Sequence, residues 1–283
     1  MEKKIEQNNK VTNEKTKFTL WRILTYFIIY SILGFVVETL FGLVTKGVIE
    51  SRQSFLYGPF CAIYGVGAVV MLYFLQYFKK NKYTLFLGGF LIGSVVEYLI
   101  SLIGEYIFNV KWWDYSDMAF NINGRICIAF SFIWGLLAIY LVCHINIKVD
   151  RIIEKLKSKF SIKTLKSIVL VVILFMCLDY IVSTFAMKMF FARFVCENNI
   201  DIYEKEKYIE EYEYFYSNEI ISQIARKYFS DEKMLKTFPN LKYTDSSGKT
   251  RVIDEILKGI KPYYYKVFEI KDNKIIWPLK TNS

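Results

Sequence analysis

Five long apolar runs alternate with short polar segments over the first two thirds of the chain, at about 20–44, 59–78, 84–108, 126–146 and 166–188. Each is close to the roughly 20 residues that a bilayer core requires of a spanning helix. The first run is too long for the apolar part of a signal peptide and lacks a small-residue cleavage site, so it reads as a retained span. Residues 1–19 are polar and lysine-rich with no apolar period, which predicts a disordered cytoplasmic tail. Residues 189–283 lose the continuous apolar character. Their pattern predicts a small soluble domain with helices near Asp201–Ser217, Asn218–Phe229 and Val252–Lys261, broken at Phe238-Pro239 and Lys261-Pro262, with a turn at Asp245–Gly248. Tyr208, Tyr212 and Phe215 form a helical stripe expected to pack on the membrane part. The fold class expected is an all-α polytopic membrane protein of about five transmembrane helices, with a small, mainly helical C-terminal domain.

Composition agrees: 54% of residues are hydrophobic, too many for an ordinary soluble domain, and 23% are charged, too many for a chain that is membrane throughout. The net charge of +10 matters through its distribution, and nucleic acid is not an expected partner. Sixteen Lys and Arg residues, in the stretches Lys3–Arg22, Lys79–Lys82 and Lys148–Lys166, flank one side of the runs. Only Lys46, Arg52, Lys111 and Arg125 flank the other. That bias predicts a multi-pass plasma-membrane protein with a cytoplasmic N-terminus, and five spans then place the C-terminal domain outside. The five cysteines (Cys61, Cys127, Cys143, Cys177 and Cys196) form no C-x-x-C pair, and His144 is the lone histidine, so neither a metal nor another cofactor is expected.

A phrase repeats inside the apolar runs. Gly34-Phe-Val-Val-Glu38-Thr-Leu40 and Gly93-Ser-Val-Val-Glu97-Tyr-Leu99 open ten-residue stretches (34–43 and 93–102) with six identities. Each copy carries a carboxylate where lipid-facing residues usually stand, and a charge near the bilayer centre costs about 2.5–3.5 kcal/mol, so it normally faces protein. Each copy continues through an outer loop into a returning span, which predicts two parallel two-helix repeats. Ser31, Gly34, Glu38, Gly42 and Thr45 share one helical face, as do Gly89, Gly93, Glu97, Ser101 and Glu105. These faces are expected to meet between the two hairpins and enclose a cavity, with Asp179 of the fifth run facing the same space and no basic residue at matching depth.

The second outer loop carries Lys111-Trp112-Trp113-Asp114-Tyr115-Ser116, then Asn121-Ile-Asn-Gly-Arg125-Ile-Cys127. Trp112, Trp113 and Tyr115 suit an interfacial aromatic belt. Arg125 is placed to pair with Asp114 or Glu105, or to hold an anion by its fork. Together with Gly58-Pro-Phe-Cys61-Ala-Ile-Tyr64-Gly65, these segments resemble the putative ABC-transporter type IV family of CmpB-like permeases, over about residues 22–188. Phe238-Pro-Asn-Leu241 is similar to members with a C-terminal extension. The resemblance implies a permease-like protein of the bacterial plasma membrane, served by a separate ATPase subunit. It carries Glu38, Glu97, Asp114, Asn121 and Arg125 over as motif positions.

Ser247-Gly-Lys-Thr250 imitates the end of a P-loop, but Tyr243 stands where the first glycine belongs and no apolar strand precedes it, so this chain is not expected to hydrolyse ATP. The basic, amphipathic segment 148–166, with Ile152, Ile153, Leu156 and Phe160 at helical spacing, suits an ATPase contact or, at less cost, anionic lipid. The leading expectation is a transport subunit that binds a small solute, cationic or proton-coupled, through Glu38, Glu97 and Asp179, with Glu105 and Asn121 as further cavity candidates and Arg125, Asp114, Trp112 and Trp113 at the outer mouth. Two other readings are a scaffold or sensor whose outer domain binds a partner, and a membrane enzyme using the paired carboxylates on a lipid-borne substrate. No H-E-x-x-H or G-x-S-x-G supports the last, and no catalytic residue is assigned.

Overall fold

Helix formation starts at Thr19, whose hydroxyl accepts the Arg22 backbone N–H at 3.4 Å, a cap for a donor with no partner inside the helix. The computed structural model describes residues 18–108, 111, 113–271 and 274–277; Trp112 and residues 1–17 of the tail expected over 1–19 lie outside the described residues, while Phe18 packs edge-on to Tyr26 and Tyr73. Helix α1 (Leu20–Lys46) ends at Gly47, where φ of +71° turns its N–H back onto the Leu43 carbonyl at 2.9 Å. The strand β1 (Val48–Ile49) follows, and then a coil runs to α2 (Ala62–Leu75). Helix α3 spans Lys82–Phe108. Helix α4 (Ile128–Tyr140), a π-turn (Leu141–Ile145) and α5 (Asn146–Lys159) join as one rod, and α6 spans Ile162–Glu197.

Four of these helices are long and apolar enough to cross a membrane: Leu20–Lys46, Lys82–Ile107, Ile128–Lys159 and Ile162–Glu197. The expected second span differs. Its helical part has 14 residues and is about 21 Å long at 1.5 Å per residue, short of the roughly 30 Å hydrocarbon core. The cause is local. Gly58 adopts φ of +75° and precedes Pro59, and the residue before a proline is biased away from helix, so the run begins as coil. That coil descends beside α1, because the Cys61 N–H bonds the carbonyl of Ser31, near the middle of α1, at 2.9 Å.

The expected fourth span also differs, because its helix does not stop at residue 146. It continues to Lys159, so the basic segment up to that residue is the lower part of a core helix, and Lys163 and Lys166 fall in the first turns of α6. Val149 and Ile153 are buried with Tyr26, Tyr30, Leu72 and Leu75, while Ile152, Leu156 and Phe160 are exposed. Asp150 is held by Arg22 at 2.7 Å and by the Tyr26 hydroxyl, and Tyr30 bonds Asn146 at 3.0 Å.

The far end of α6 extends into the C-terminal domain and supplies its core. Phe190, Phe191, Phe194 and Val195 are buried against Tyr208, Met234, Leu235, Leu241 and Ile253. Around them lie α7 (Lys205–Tyr216), α8 (Glu219–Tyr228), α9 (Asp231–Thr237) and a hairpin of β2 (Lys242–Thr244) with β3 (Thr250–Val252). The first two correspond to expected helices, and Tyr208 of the expected stripe packs edge-on to Phe191. The third expected helix, Val252–Lys261, does not form. Val252 is taken by the β2–β3 ladder, Ile253–Glu255 makes one 3-10 turn, and Gly259 at φ of +99° precludes a helix through to Lys261. The helical spacing of Ile253, Ile256, Leu257 and Ile260 is met instead by turns packed on the core. Helix α9 was signalled by Ser230, which caps the Lys233 N–H at 3.3 Å and is followed by two acids. Further on lie β4 (Tyr265–Lys266) and a hairpin of β5 (Glu269–Lys271) with β6 (Lys274–Ile276).

Two backbone links fasten this domain to the helices: β4 pairs antiparallel with β1, and Lys111 exchanges backbone hydrogen bonds with Lys242 at 2.9 and 3.0 Å. The C-terminal ends of α1, α3 and α6 therefore share one end of the bundle. Inside the domain Arg193 is 3% exposed and holds Asp231, the Tyr216 hydroxyl at 2.8 Å and the Phe229 carbonyl at 2.8 Å. Removing it leaves those groups without their donor. Arg193→Ala is expected to destabilise the domain by about 3 kcal/mol, read as earlier proteolytic opening of residues 198–260 in the detergent-solubilised chain.

Candidate functional site: an acid and aromatic seam

Glycine spacing on α1 and α3 decides what lies over each acid. A Cβ on Gly34 would collide with the Tyr64 side chain, so its absence lets that ring lie against α1 with its hydroxyl one turn higher, where it donates to Glu38 Oε1 at 2.5 Å. One turn above Glu38, Gly42 makes the same room for Arg52, whose Nη2 would come within 2.8 Å of an added Cβ. On α3, Gly93 lies against Trp134 and Gly89 against Ala138. Trp134 Nε1 then donates to Glu97 Oε2 at 3.0 Å, and the Tyr115 hydroxyl donates to Oε1 at 3.0 Å. Glu97 is 5% exposed.

The small-residue faces thus pack inside each hairpin, α1 on α2 and α3 on α4, and not directly against each other as expected. A buried Ser94–Ser131 bond of 2.7 Å closes the second pair. The hairpins meet through aromatic rings, with the centroids of Tyr64 and Trp134 6.3 Å apart. A continuous path therefore runs from Glu38 through Tyr64 and Trp134 to Glu97 and Tyr115.

Glu38 does have a basic neighbour, contrary to expectation. Arg52 Nη1 lies 3.9 Å from Glu38 Oε2, although its closest partner is Glu50 at 2.5 Å, which also binds Lys46 at 2.8 Å. Glu50, 4% exposed, is a member that sequence reasoning missed. Its signal was the spacing of Lys46 and Glu50, one helical turn apart, next to Arg52. Glu105 pairs with Arg125 at 2.6 Å and lies 3.8 Å from Lys111, and Arg125 also donates to Ser101 at 3.2 Å. Of the two partners expected for Arg125, the structure selects Glu105.

Asp114 and Asn121 shape the loop itself. Asp114 accepts the backbone N–H and the hydroxyl of Ser116, at 3.0 and 2.6 Å. Burial works against its ionisation, but bonds from the Ser116 and Thr250 hydroxyls outweigh burial and hold its pKa below the ordinary value. Asn121 donates to the carbonyls of Ser116 and Met118 and accepts from the Gly124 N–H. Trp113 donates to the Arg125 carbonyl at 3.0 Å, and Tyr115 stacks on Phe130 at 4.7 Å, so both are bound into the fold.

Asp179 does not reach the seam. It accepts the Tyr57 N–H at 3.1 Å and the Ser183 hydroxyl at 3.2 Å, and Ser183 in turn accepts the Leu56 N–H at 2.8 Å. Both residues serve the descending coil. Two clefts of about 590 and 270 Å³ lie in the C-terminal domain, and the seam acids line neither. Ser247–Lys249 lies in an exposed turn between β2 and β3, and Thr250 opens β3. There Asp245 accepts from Ser247, Lys249 and Arg251, and the Ser247 hydroxyl and the Arg251 guanidinium hold its pKa far below the usual carboxylate range.

Compared with known proteins, residues 25–185 match the model of the family described as putative ABC-transporter type IV. No curated protein and no solved structure matches the chain.

If Asp179 holds the coil, Asp179→Leu leaves the Tyr57 N–H unpaired in an apolar setting, at about 1–3 kcal/mol, while Asp179→Asn keeps an oxygen acceptor and loses less. In a background where Cys61 is the sole cysteine, maleimide labelling of Cys61, now 6% exposed, should speed up in the Leu variant and change little in the Asn variant.

Proposed function

This chain belongs to the putative ABC-transporter type IV family, and on that premise we propose that it is a permease-like membrane subunit that binds or moves a small solute along the seam between Glu38 and Glu97. The observation that carries the reading is the setting of Glu97, a buried carboxylate bound to two neutral donors and joined by ring contact to a second acid. An apolar bundle has no packing need for such groups, and intramembrane acids that face protein commonly mark a solute or proton path. Carboxylates between aromatic rings suit a cationic solute or a protonation step. The duplicated phrase supports reading α1–α2 and α3–α4 as two parallel units, each with one acid. Glu105, Arg125 and Lys111 are the charges next along α3 toward its C-terminal end and form the mouth in this reading, while Asp114 and Asn121 shape the loop around it.

Energy comes from elsewhere, since the P-loop-like segment is an exposed turn; a separate ATPase subunit or an ion gradient supplies it. The Lys and Arg bias favours a cytoplasmic N-terminus, and the shared end of α1, α3 and α6 supports reading the C-terminal domain as lying on the opposite side. A scaffold role is the second reading. It is favoured by the β1–β4 pairing, which would transmit a partner's binding on the domain straight to the end of α1.

In proteoliposomes containing the wild-type chain with its cognate ATPase, Glu97→Gln is expected to reduce binding or uptake of small organic ammonium ions about tenfold, and Glu38→Gln less, because Arg52 already neutralises part of its charge. Unchanged uptake in both variants, with unchanged melting temperature, would remove the site.

A further inference from the structure

The larger cleft lies at the lower edge of the C-terminal domain, between α9 and the segment that enters β4. It holds about 590 Å³ and is lined by Lys236, Lys261, Lys266, Tyr264 and Tyr265, with Glu232 as its acid. Three contacts fix its height. The Tyr264 N–H bonds the Ile49 carbonyl at 2.9 Å, three residues beyond the end of a membrane-length helix. Lys46, the last residue of that helix, donates to Asn240 at 2.7 Å. Lys233, next to Glu232 on α9, stands 5.6 Å from the ring of Tyr57, in the coil that runs down beside α1. The cleft therefore sits where the helices leave the apolar region.

Its chemistry fits that level. Tyr264 and Tyr265 are 60% and 62% exposed, and exposed tyrosines with lysines beside them are characteristic of the boundary between headgroups and water. Three lysines face one glutamate. Glu232 binds Lys236 and Glu269 binds Lys266, but these are exposed pairs that exchange readily for other anions. Lys261 forms no ion pair among the described residues. The geometry points to this cleft as a docking site for the phosphate headgroups of anionic lipids in the adjacent leaflet, which fastens the C-terminal domain to the bilayer surface independently of any solute path. Near an anionic surface each lysine is worth roughly fivefold in affinity.

The test uses the full chain in nanodiscs of phosphatidylcholine alone or of equal parts phosphatidylcholine and phosphatidylglycerol, with amine-reactive labelling of lysines read by mass spectrometry. Labelling of Lys236, Lys261 and Lys266 should fall severalfold in the anionic discs and recover at about 1 M salt, where screening acts within about 3 Å. Lys227 is the control, because its neighbour Arg226 bonds Glu197 at the far end of α6. Equal labelling in both discs would overturn the proposal. So would protection by soluble glycerol phosphate in the neutral discs, which would make the site one for free anions. As a second arm, anionic lipid should raise the melting temperature of the wild type but not of a Lys261→Gln, Lys266→Gln variant; a variant that keeps the full rise counts against lipid docking.

Discussion

Backbone groups placed among apolar helices must find partners inside the protein, and the coil over residues 50–61 is where that constraint is hardest to meet. The structure meets it residue by residue. Ser183 takes the Leu56 N–H and Asp179 the Tyr57 N–H, Gln53 donates to the carbonyls of Phe55 and Leu56, and Ser54 pairs with the Phe60 carbonyl. Ser31 offers its carbonyl to Cys61, and the Ser54 hydroxyl caps Ala62. With the coil secured, α2 starts deep in the bundle, Tyr64 arrives opposite Gly34, and Arg52 is carried down to Glu38. The position of α6 follows from the same bonds, since Asp179 and Ser183 lie one turn apart on its face toward the coil.

This accounting separates acids that the apolar pattern makes look alike. Asp179 is taken up by the Tyr57 N–H and the Ser183 hydroxyl. Glu50 and Glu105 are each paired with an arginine within hydrogen-bonding distance, Arg52 and Arg125. Glu97 and Asp179 both have only neutral partners, but those of Asp179 serve the coil, whereas Glu97 is held by two side chains of the seam, a tryptophan and a tyrosine. A buried carboxylate with no cation nearby is the costly arrangement, and because no backbone donor calls for Glu97, the functional reading rests on it more than on the others.

The C-terminal domain follows the same economy of shared elements. Its core is the last three turns of α6, so it has no flexible link to the bundle on that side, and β1 and Lys111 tie it at two further points. A change at the domain surface has three short routes to the helices. This rigid attachment is what sets the height of the tyrosine and lysine cleft.

Hydrophobic run lengths determined the membrane character and the approximate helix positions, and contiguous motifs determined the family, because each depends on local sequence. The duplicated phrase likewise made Glu38 and Glu97 visible, and the Gly34 and Gly93 spacing announced close packing at both. What faces those glycines was not legible. A one-turn shift or a coil in place of helix leaves composition unchanged, yet it decides whether Arg52 stays in an outer loop or reaches Glu38. The apolar spacing over Val252–Lys261 suits a helix or turns equally well, and the ladder with β2, a partner ten residues back, made the choice. Asp179, Asp114 and Arg125 carried the right chemistry in the sequence, but which groups each one binds depends on which backbone stretches the fold leaves without partners.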